Sequence, residues 1–364
     1  MIMIKYVRSM LYRATHDLFF YIAAGLVVLS TLFIFGNMGK ANRNHVASAK
    51  DKNVIVKYEE EDPLIVSKQL LFGTDSNYHN VPGKSIKYID SLNNLNYTNL
   101  VILFTSVVVF LFHVLYGVYF FGDFFTKGGI RNMIAAGASK IKIFISSMFA
   151  NAILLIMFSV ISAVCMLILA LIQDLYLIIY LPAFCMFLLA LYLIGLVFSS
   201  LAILVVFITQ RPLKALLFVI GGTVLFCVFI NASFYADAFI PKYQPNTKAW
   251  QVFTSEAKDH DLGFEWYMPV NDFNLYSINK ADGTVYNDFT SDKLNPDYPG
   301  DAKVAVSRVL WRLNITNIIQ EVAAFYVYPM YRDGVLLRYI IVSSAYLIIV
   351  VAAGCIVVKR RDII

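Results

Sequence analysis

Charged residues are scarce in this 364-residue sequence: they make up 15% of it, whereas hydrophobic residues make up 59%. A soluble domain carries about a quarter charged residues. The shortage of charge therefore excludes an ordinary soluble fold. In its place the sequence has long apolar segments of about 20 residues or more, the length at which a helix crosses a bilayer.

Several chemical motifs are absent as well. The sequence has no GxxxxGK[ST] phosphate loop, no HExxH and no GxSxG, so ATP hydrolysis by that loop and two common hydrolytic mechanisms are not indicated. All four cysteines fall in apolar segments and predict neither a disulfide framework nor a metal site. The apolar segments are also nearly free of the charged side chains that ion-coupled carriers bury. We therefore expect a non-catalytic membrane protein without a cofactor of its own.

Six apolar segments are predicted to be membrane-spanning helices. They lie at 18–38, 99–121, three within 143–235 (143–170, 176–208 and 213–235), and 337–358. Before them, residues 1–17 place Ile4, Val7, Met10 and Leu11 on one face, which predicts an amphipathic helix in the membrane interface. The fold class indicated is an all-α polytopic membrane protein.

Basic residues mark the loops expected in the cytoplasm, because short loops rich in Lys and Arg resist translocation. They occur in 1–17, in 122–142, in the turn at 209–214 and in the tail 359–364. Both ends of the chain are therefore predicted to be cytoplasmic, in the plasma membrane of what we expect to be a bacterial cell. This bias also accounts for the net charge of +6, so nucleic-acid binding is not indicated.

Two segments are expected on the outer side. Residues 39–98 predict a loop of mixed structure, and 236–336 predict a mixed α/β extracytoplasmic domain. Within the latter, the SINKADGTVYNDF stretch is typical of a β-hairpin with its turn at Asp282-Gly283. The stretch 301–327 has helical apolar periodicity.

The loop 122–142 carries the strongest functional pattern. Four basic residues surround the lone acid Asp123, and apolar residues recur at helical spacing (Ile130, Met133, Ile134 and Gly137). A short amphipathic helix between two spans is suited to receiving a mechanical push from a soluble partner. The alternative is a surface helix that only anchors the two spans.

The FTKGGIRNMIAAGASKIKIFISSM stretch resembles the loop after the second span in permease subunits of ABC type-2 exporters. Its matching residues are Gly129, Ile130, Arg131, Gly137, Ser139 and Lys140. The VVKRRDI tail is similar to that family's closing motif, and the layout of six spans with an enlarged segment before the last also agrees.

The resemblance implies a transmembrane subunit of an ATP-driven exporter. Two permeases, identical or paralogous, would pair in the lipid bilayer, and each would dock an ABC ATPase subunit that binds ATP and Mg²⁺. The loop after the second span would be the coupling helix. The contact residues implied are Phe124, Phe125, Ile130, Arg131, Met133 and Ile134, with the apolar ones as anchors and Arg131 as a polar clamp. The alternative for Arg131 is pairing with anionic lipid headgroups.

The same resemblance puts the second and fifth spans on the transport pathway. The residues indicated are His113, Tyr116 and Tyr119, which share one helix face, and Thr223, Phe226 and Asn231. A pathway rich in aromatic residues suits an amphipathic or hydrophobic cargo, such as a peptide, a drug or a lipid-like molecule. The alternatives are ordinary packing for the aromatic residues and a hydrogen bond to a neighbouring span for His113.

Two other function classes remain open. The chain could be a peptide-sensing or immunity module that works with the same kind of ATPase, which the large outer segment would suit. Less favoured is an ATP-independent carrier or a membrane enzyme.

Overall fold

The computed structural model describes residues 2–51, 85–172, 181–224, 296–318 and 334–360, together with five short strands between 243 and 294. The helices are α1 (Ile2–Thr15), α2 (Leu18–Asp51), α3 (Ser85–Thr126), α4 (Gly129–Ala135), α5 (Lys140–Ile172), α6 (Leu181–Thr209), α7 (Pro212–Val224), α8 (Asp301–Leu313) and α9 (Val335–Arg360), with a 3₁₀ turn at Ile315–Asn317. The strands are β1 (Tyr243–Pro245), β2 (Phe264–Tyr267), β3 (Tyr276–Asn279), β4 (Val285–Asn287) and β5 (Thr290–Leu294).

Five of the described helices are long and apolar enough to cross a membrane. The segments concerned are Leu18–Asn37, Val101–Thr126, Lys140–Leu169, Cys185–Thr209 and Val335–Arg360. The chain is therefore a helical, multi-pass membrane protein. The predicted span at 213–235 is described only as far as Val224, where it forms the shorter apolar helix α7. The count of six spans thus stays a prediction.

The helices continue beyond the apolar segments that predict them. Helix α2 runs to Asp51 and α3 begins at Ser85, so both edges of the predicted outer loop 39–98 are helical, and 52–84 lie outside the described residues. At its other end α3 continues to Thr126, and α5 begins at Lys140. The connection between these two helices is therefore shorter than the predicted loop 122–142. Apolar length indicates what enters the membrane, whereas a helix stops only where its backbone is broken or capped.

Helix α6 lies at the centre of the bundle and contacts α3, α5, α7 and α9. Around it are two apolar cores at opposite ends. The first is rich in phenylalanine and includes Phe120, Phe121, Phe144, Phe158 and Phe207. The second joins α3, α6 and α9 to the 3₁₀ turn and includes Ile102, Phe187, Leu191, Ile315, Leu336 and Tyr339. The 3₁₀ turn is therefore built into the bundle.

The predicted amphipathic helix of residues 1–17 is α1, and part of its apolar face packs against α5. Met10 and Ala14 are fully buried there, whereas Ile4 remains 70% exposed. The hydroxyl of Tyr116 in α3 donates a hydrogen bond to the carbonyl of Ala14 at 3.2 Å. The helix is therefore attached to the bundle through its second half.

The strands between 243 and 294 form two small antiparallel sheets. One has the order β2-β3-β4 and the other pairs β1 with β5. Strands β3 and β4 are the two arms of the predicted hairpin, and Asp282-Gly283 lies outside the described residues. In the stretch 301–327, where helical periodicity was predicted, α8 ends at Leu313, and 319–327 lie outside the described residues. The side chain of Asn314 accepts a hydrogen bond from the amide of Thr316 and starts the 3₁₀ turn.

Aromatic rings lie directly on glycines where the long helices cross. A Cβ atom on Gly354 of α9 would overlap the ring of Phe144 in α5, and one on Gly195 of α6 would lie 2.5 Å from the ring of Phe110 in α3. By contrast, Gly25 of α2 has open space around its Cβ position. Gly354 and Gly195 therefore permit close approach of neighbouring helices.

Gly354→Ala is expected to destabilise the protein more than Gly25→Ala does. The new methyl group at Gly354 must displace a buried ring, and overpacking of this kind costs about 1–3 kcal/mol. Gly25→Ala adds a better helix former in open space and is expected to be neutral or slightly stabilising. Thermal unfolding of both variants in detergent measures the difference. Equal midpoints would show that Phe144 moves aside without cost.

Candidate functional site

Helix α4 is a seven-residue helix fixed at both ends by glycine geometry. It follows Gly128, whose φ of 75° is left-handed, and it ends before Gly137, whose φ is 86°. At that end the amide of Gly137 donates to the carbonyl of Ile134 at 2.9 Å, and the amide of Ala138 donates to that of Met133 at 3.0 Å. This is the Schellman arrangement, which satisfies the last carbonyls of a helix.

Most residues of the sequence motif in this loop have a local structural role. Gly137 supplies the left-handed turn that ends α4. The hydroxyl of Ser139 accepts a hydrogen bond from the amide of Lys142 at 3.4 Å, at the start of α5. A Cβ atom on Gly129 would lie 2.8 Å from the ring of Phe124. These residues therefore shape the loop whether or not a partner binds it.

The apolar residues predicted to anchor a partner lie in the chain's own core. Phe124 is 4% exposed and Ile130 is 3% exposed. Phe125, Met133 and Ile134 are partly buried against the same cluster. Phe124 and Ile130 are thus in contact with the chain's own core, and the anchoring role predicted for them stays a prediction.

The outward face of α4 is small and polar instead. Arg131, Asn132 and Ala135 are exposed. Among the residues that the structure describes, the Arg131 guanidinium has no ion-pair or hydrogen-bond partner. Arg131 is thus the residue of the motif whose side chain the fold itself does not use. We call the exposed residues Arg131, Asn132 and Ala135 the outward face of α4.

An ion pair joins α1 to the base of this loop. Nη2 of Arg13 lies 2.7 Å from Oδ2 of Asp123, and Nζ of Lys127 lies 3.0 Å from Oδ1 of the same carboxylate. The Arg13 guanidinium also lies 4.4 Å from the ring centroid of Phe124. Sequence reasoning missed Arg13 as the partner of Asp123. The available signal was that Asp123 is the sole acid in a basic loop.

Two of the residues predicted on the second span are buried inside the bundle, and the third is half-buried. Tyr116 packs between Phe20 of α2 and Phe158 of α5, and His113 is fully buried. Tyr119 is half-buried and lies against Phe19 of α2 with 4.3 Å between ring centroids. The place of these residues on a transport pathway stays a prediction.

His113 belongs to a hydrogen-bonded chain that crosses three helices. Its Nε2 atom donates to Oδ1 of Asn151 in α5 at 2.9 Å, and Nδ2 of Asn151 donates to Oγ of Ser199 in α6 at 2.8 Å. Ser199 in turn donates to the carbonyl of Leu196 at 3.2 Å. Asn151 was not singled out in the sequence, although a polar side chain within an apolar segment is the signal that would have found it.

Of the residues predicted on the fifth span, the structure describes only the backbone of Thr223. Thr223 belongs to α7, but its side chain is not described. Phe226 and Asn231 lie outside the described residues. The predicted residues of the second span and of the loop are therefore described in one bundle. The place of the fifth-span residues beside them stays a prediction.

Comparisons of the chain with protein-family models, with curated proteins and with solved structures find no match. The class of protein is thus defined by the described helices alone, as a helical multi-pass membrane protein.

The hydrogen bond between His113 and Asn151 is expected to stabilise the contact between α3 and α5. Polar pairs between membrane helices contribute on average about 0.6 kcal/mol and up to about 1.7 kcal/mol. A double-mutant cycle with His113→Leu, Asn151→Leu and the double variant, measured by unfolding in mixed micelles, gives the coupling energy directly. Additive effects of the two substitutions would mean that this pair contributes nothing.

Proposed function

We propose that this protein is the membrane-spanning permease subunit of an ATP-driven exporter of the ABC type. The observation that supports the proposal is the outward face of α4. A short helix between two spans is fixed by the core on one side and exposes Arg131 on the other, where no described residue pairs with it. Such a face is suited to binding a soluble partner that supplies energy.

The attachment of α4 suits it for mechanical coupling. Its inner residues share one core with α3, α5 and α6, and Asp123 connects its base to α1. A displacement of α4 is therefore transmitted to several spanning helices at once, because packed cores are stiff and move as units. A loop that was only loosely tethered would absorb the same displacement.

In this proposal ATP and Mg²⁺ bind to two separate ATPase subunits, and two permeases form the path. The cargo is an amphipathic or hydrophobic molecule moved outward from the cytoplasm. The proposal rests on the resemblance in the loop and tail, on the near absence of charge in the spans and on the outward face of α4. Within this proposal we assign the contact to Arg131, which the resemblance already indicated, and add its exposed neighbours Asn132 and Ala135, because Phe124 and Ile130 are buried in the chain's own core.

Charge reversal on the outward face of α4 is expected to release the partner without unfolding the protein. The variant is Arg131→Glu combined with Ala135→Asp, both at exposed positions one helical turn apart. The tagged protein is purified gently from its native membrane, and the soluble protein that accompanies it is quantified. We expect a stoichiometric protein with a phosphate loop to accompany the parent chain and to be lost from the variant.

The matched control is Arg360→Glu, which reverses an exposed basic residue at the end of α9. It is expected to retain the partner, and all variants are expected to keep the parent's thermal midpoint. A parent chain that purifies without any ATPase, or a variant that retains it fully, would contradict the proposal.

A second candidate, a peptide-sensing or immunity module, is favoured by a different observation. The described residues of the segment that precedes α9 include two antiparallel sheets and an amphipathic helix. A simple connection between two spans needs only a few residues. These strands and this helix are suited to forming a binding surface for a ligand that does not cross the membrane.

Transport into sealed vesicles distinguishes the two candidates. For an exporter, inside-out vesicles that contain the complex are expected to accumulate labelled cargo when ATP is added, and to stop doing so in the variant Arg131→Glu with Ala135→Asp. Binding of the cargo without ATP-dependent accumulation would favour the sensing module and would contradict export.

A further inference from the structure

The helix α8 presents two apolar faces, and only one of them is covered. Val304, Ser307 and Trp311 are buried against the rest of the chain. On the other side lies a stripe of exposed apolar residues, which comprises Val306, Val309, Leu310 and Leu313 with exposed fractions of 59%, 54%, 37% and 44%. We call this stripe the outer stripe of α8. A helix in water does not normally expose four large apolar residues together.

Three of the four charged residues of α8, namely Asp301, Arg308 and Arg312, lie on one flank between these two faces. At 3.6 residues per turn, Asp301, Ala305 and Arg312 fall on one side of the helix, roughly midway between the buried face and the outer stripe. Lys303 lies in the first turn on the other side of the stripe, with a side chain long enough to reach away from it. This arrangement places protein, water and a third, apolar medium on three sides of one helix.

The position of α8 along the bundle identifies that medium. The hydroxyl of Tyr346 donates a hydrogen bond to the carbonyl of Leu313 at 3.2 Å. Tyr346 lies eleven residues after the start of the spanning helix α9, which corresponds to about 16 Å along the helix axis. The end of α8 is therefore beside the membrane-crossing part of α9 and not beyond it.

The residues that follow α8 confirm this depth. Ile315 and Ile318 are buried in the core formed by α3, α6 and α9, next to Ile102 and Leu336. This core lies at the end of the bundle opposite to α4, since the far end of α9 contributes Val358 to the core that contains Ile130. The chain thus enters the bundle between spanning helices immediately after Leu313.

We infer that α8 is a membrane-inserted helix whose outer stripe contacts the acyl chains of one lipid leaflet, the leaflet opposite to α4. In this arrangement the outer stripe faces the acyl chains and the polar flank faces the headgroups and water. This is the geometry of an interfacial amphipathic helix. The inference concerns the lipid contact alone and does not depend on the transport function.

Site-specific fluorescence tests this contact. The four native cysteines are first replaced by alanine, and a background that keeps the parent's thermal midpoint is used. Val306→Cys places a small environment-sensitive fluorophore on the outer stripe, where Val306 is the most exposed residue. Ala305→Cys, also exposed and about 100° away around the helix, places it on the polar flank as the matched control. The labelled proteins are reconstituted into phosphatidylcholine and phosphatidylglycerol vesicles.

At position 306 we expect blue-shifted emission that is quenched by lipids with a spin label on the acyl chain and is insensitive to iodide in the buffer. At position 305 we expect the reverse. Quenching of position 306 by iodide and not by the spin-labelled lipid would overturn the inference, because the stripe would then face water. Protection of position 306 from both quenchers would also overturn it, since another segment of the chain or a second copy would then cover the stripe.

Discussion

Helices that are already in lipid gain little from hydrophobic burial against one another, so their association depends on close contact and on polar bonds. This constraint explains the contacts at the helix crossings of this protein. Rings of Phe144 and Phe110 lie on glycines of the facing helices, and a chain of hydrogen bonds from His113 through Asn151 to Ser199 connects α3, α5 and α6. Shape and polar pairing, more than apolar composition, determine which helices meet.

Close contacts and polar bonds also hold the helices together at the basic end of the bundle, where α1 and α4 lie. Helix α4 has little freedom of its own, because its inner residues belong to the phenylalanine-rich core and its base is joined to α1 through Asp123. The ion pair is partly exposed and contributes at most about 1 kcal/mol to stability. Its importance is geometric: it attaches the second half of α1 to the base of the loop that contains α4.

Apolar length was enough to predict the five membrane-spanning helices, and the spacing of apolar residues was enough to predict α1, because both signals are local in the sequence. It was not enough to predict where the helices end, since α2 and α3 continue through polar residues up to Asp51 and from Ser85. The sequence also did not predict which side chains face the chain's own core and which remain exposed. Ile130 and His113 have the spacing of a binding face, but whether such a face meets a partner or the chain's own core is decided by tertiary contacts distant in sequence.

The contacts of α1 have a consequence for the order of assembly during synthesis. Its buried residues rest on α5 and its Arg13 pairs with Asp123, so none of these contacts exists until more than one hundred further residues have been made. Until then α1 is an amphipathic helix with no protein surface to cover its apolar side, and the membrane interface is the place where that side is shielded from water. The nascent chain thus holds α1 at the bilayer surface during insertion of the next two spans, and α1 moves onto the bundle only after α5 is in place.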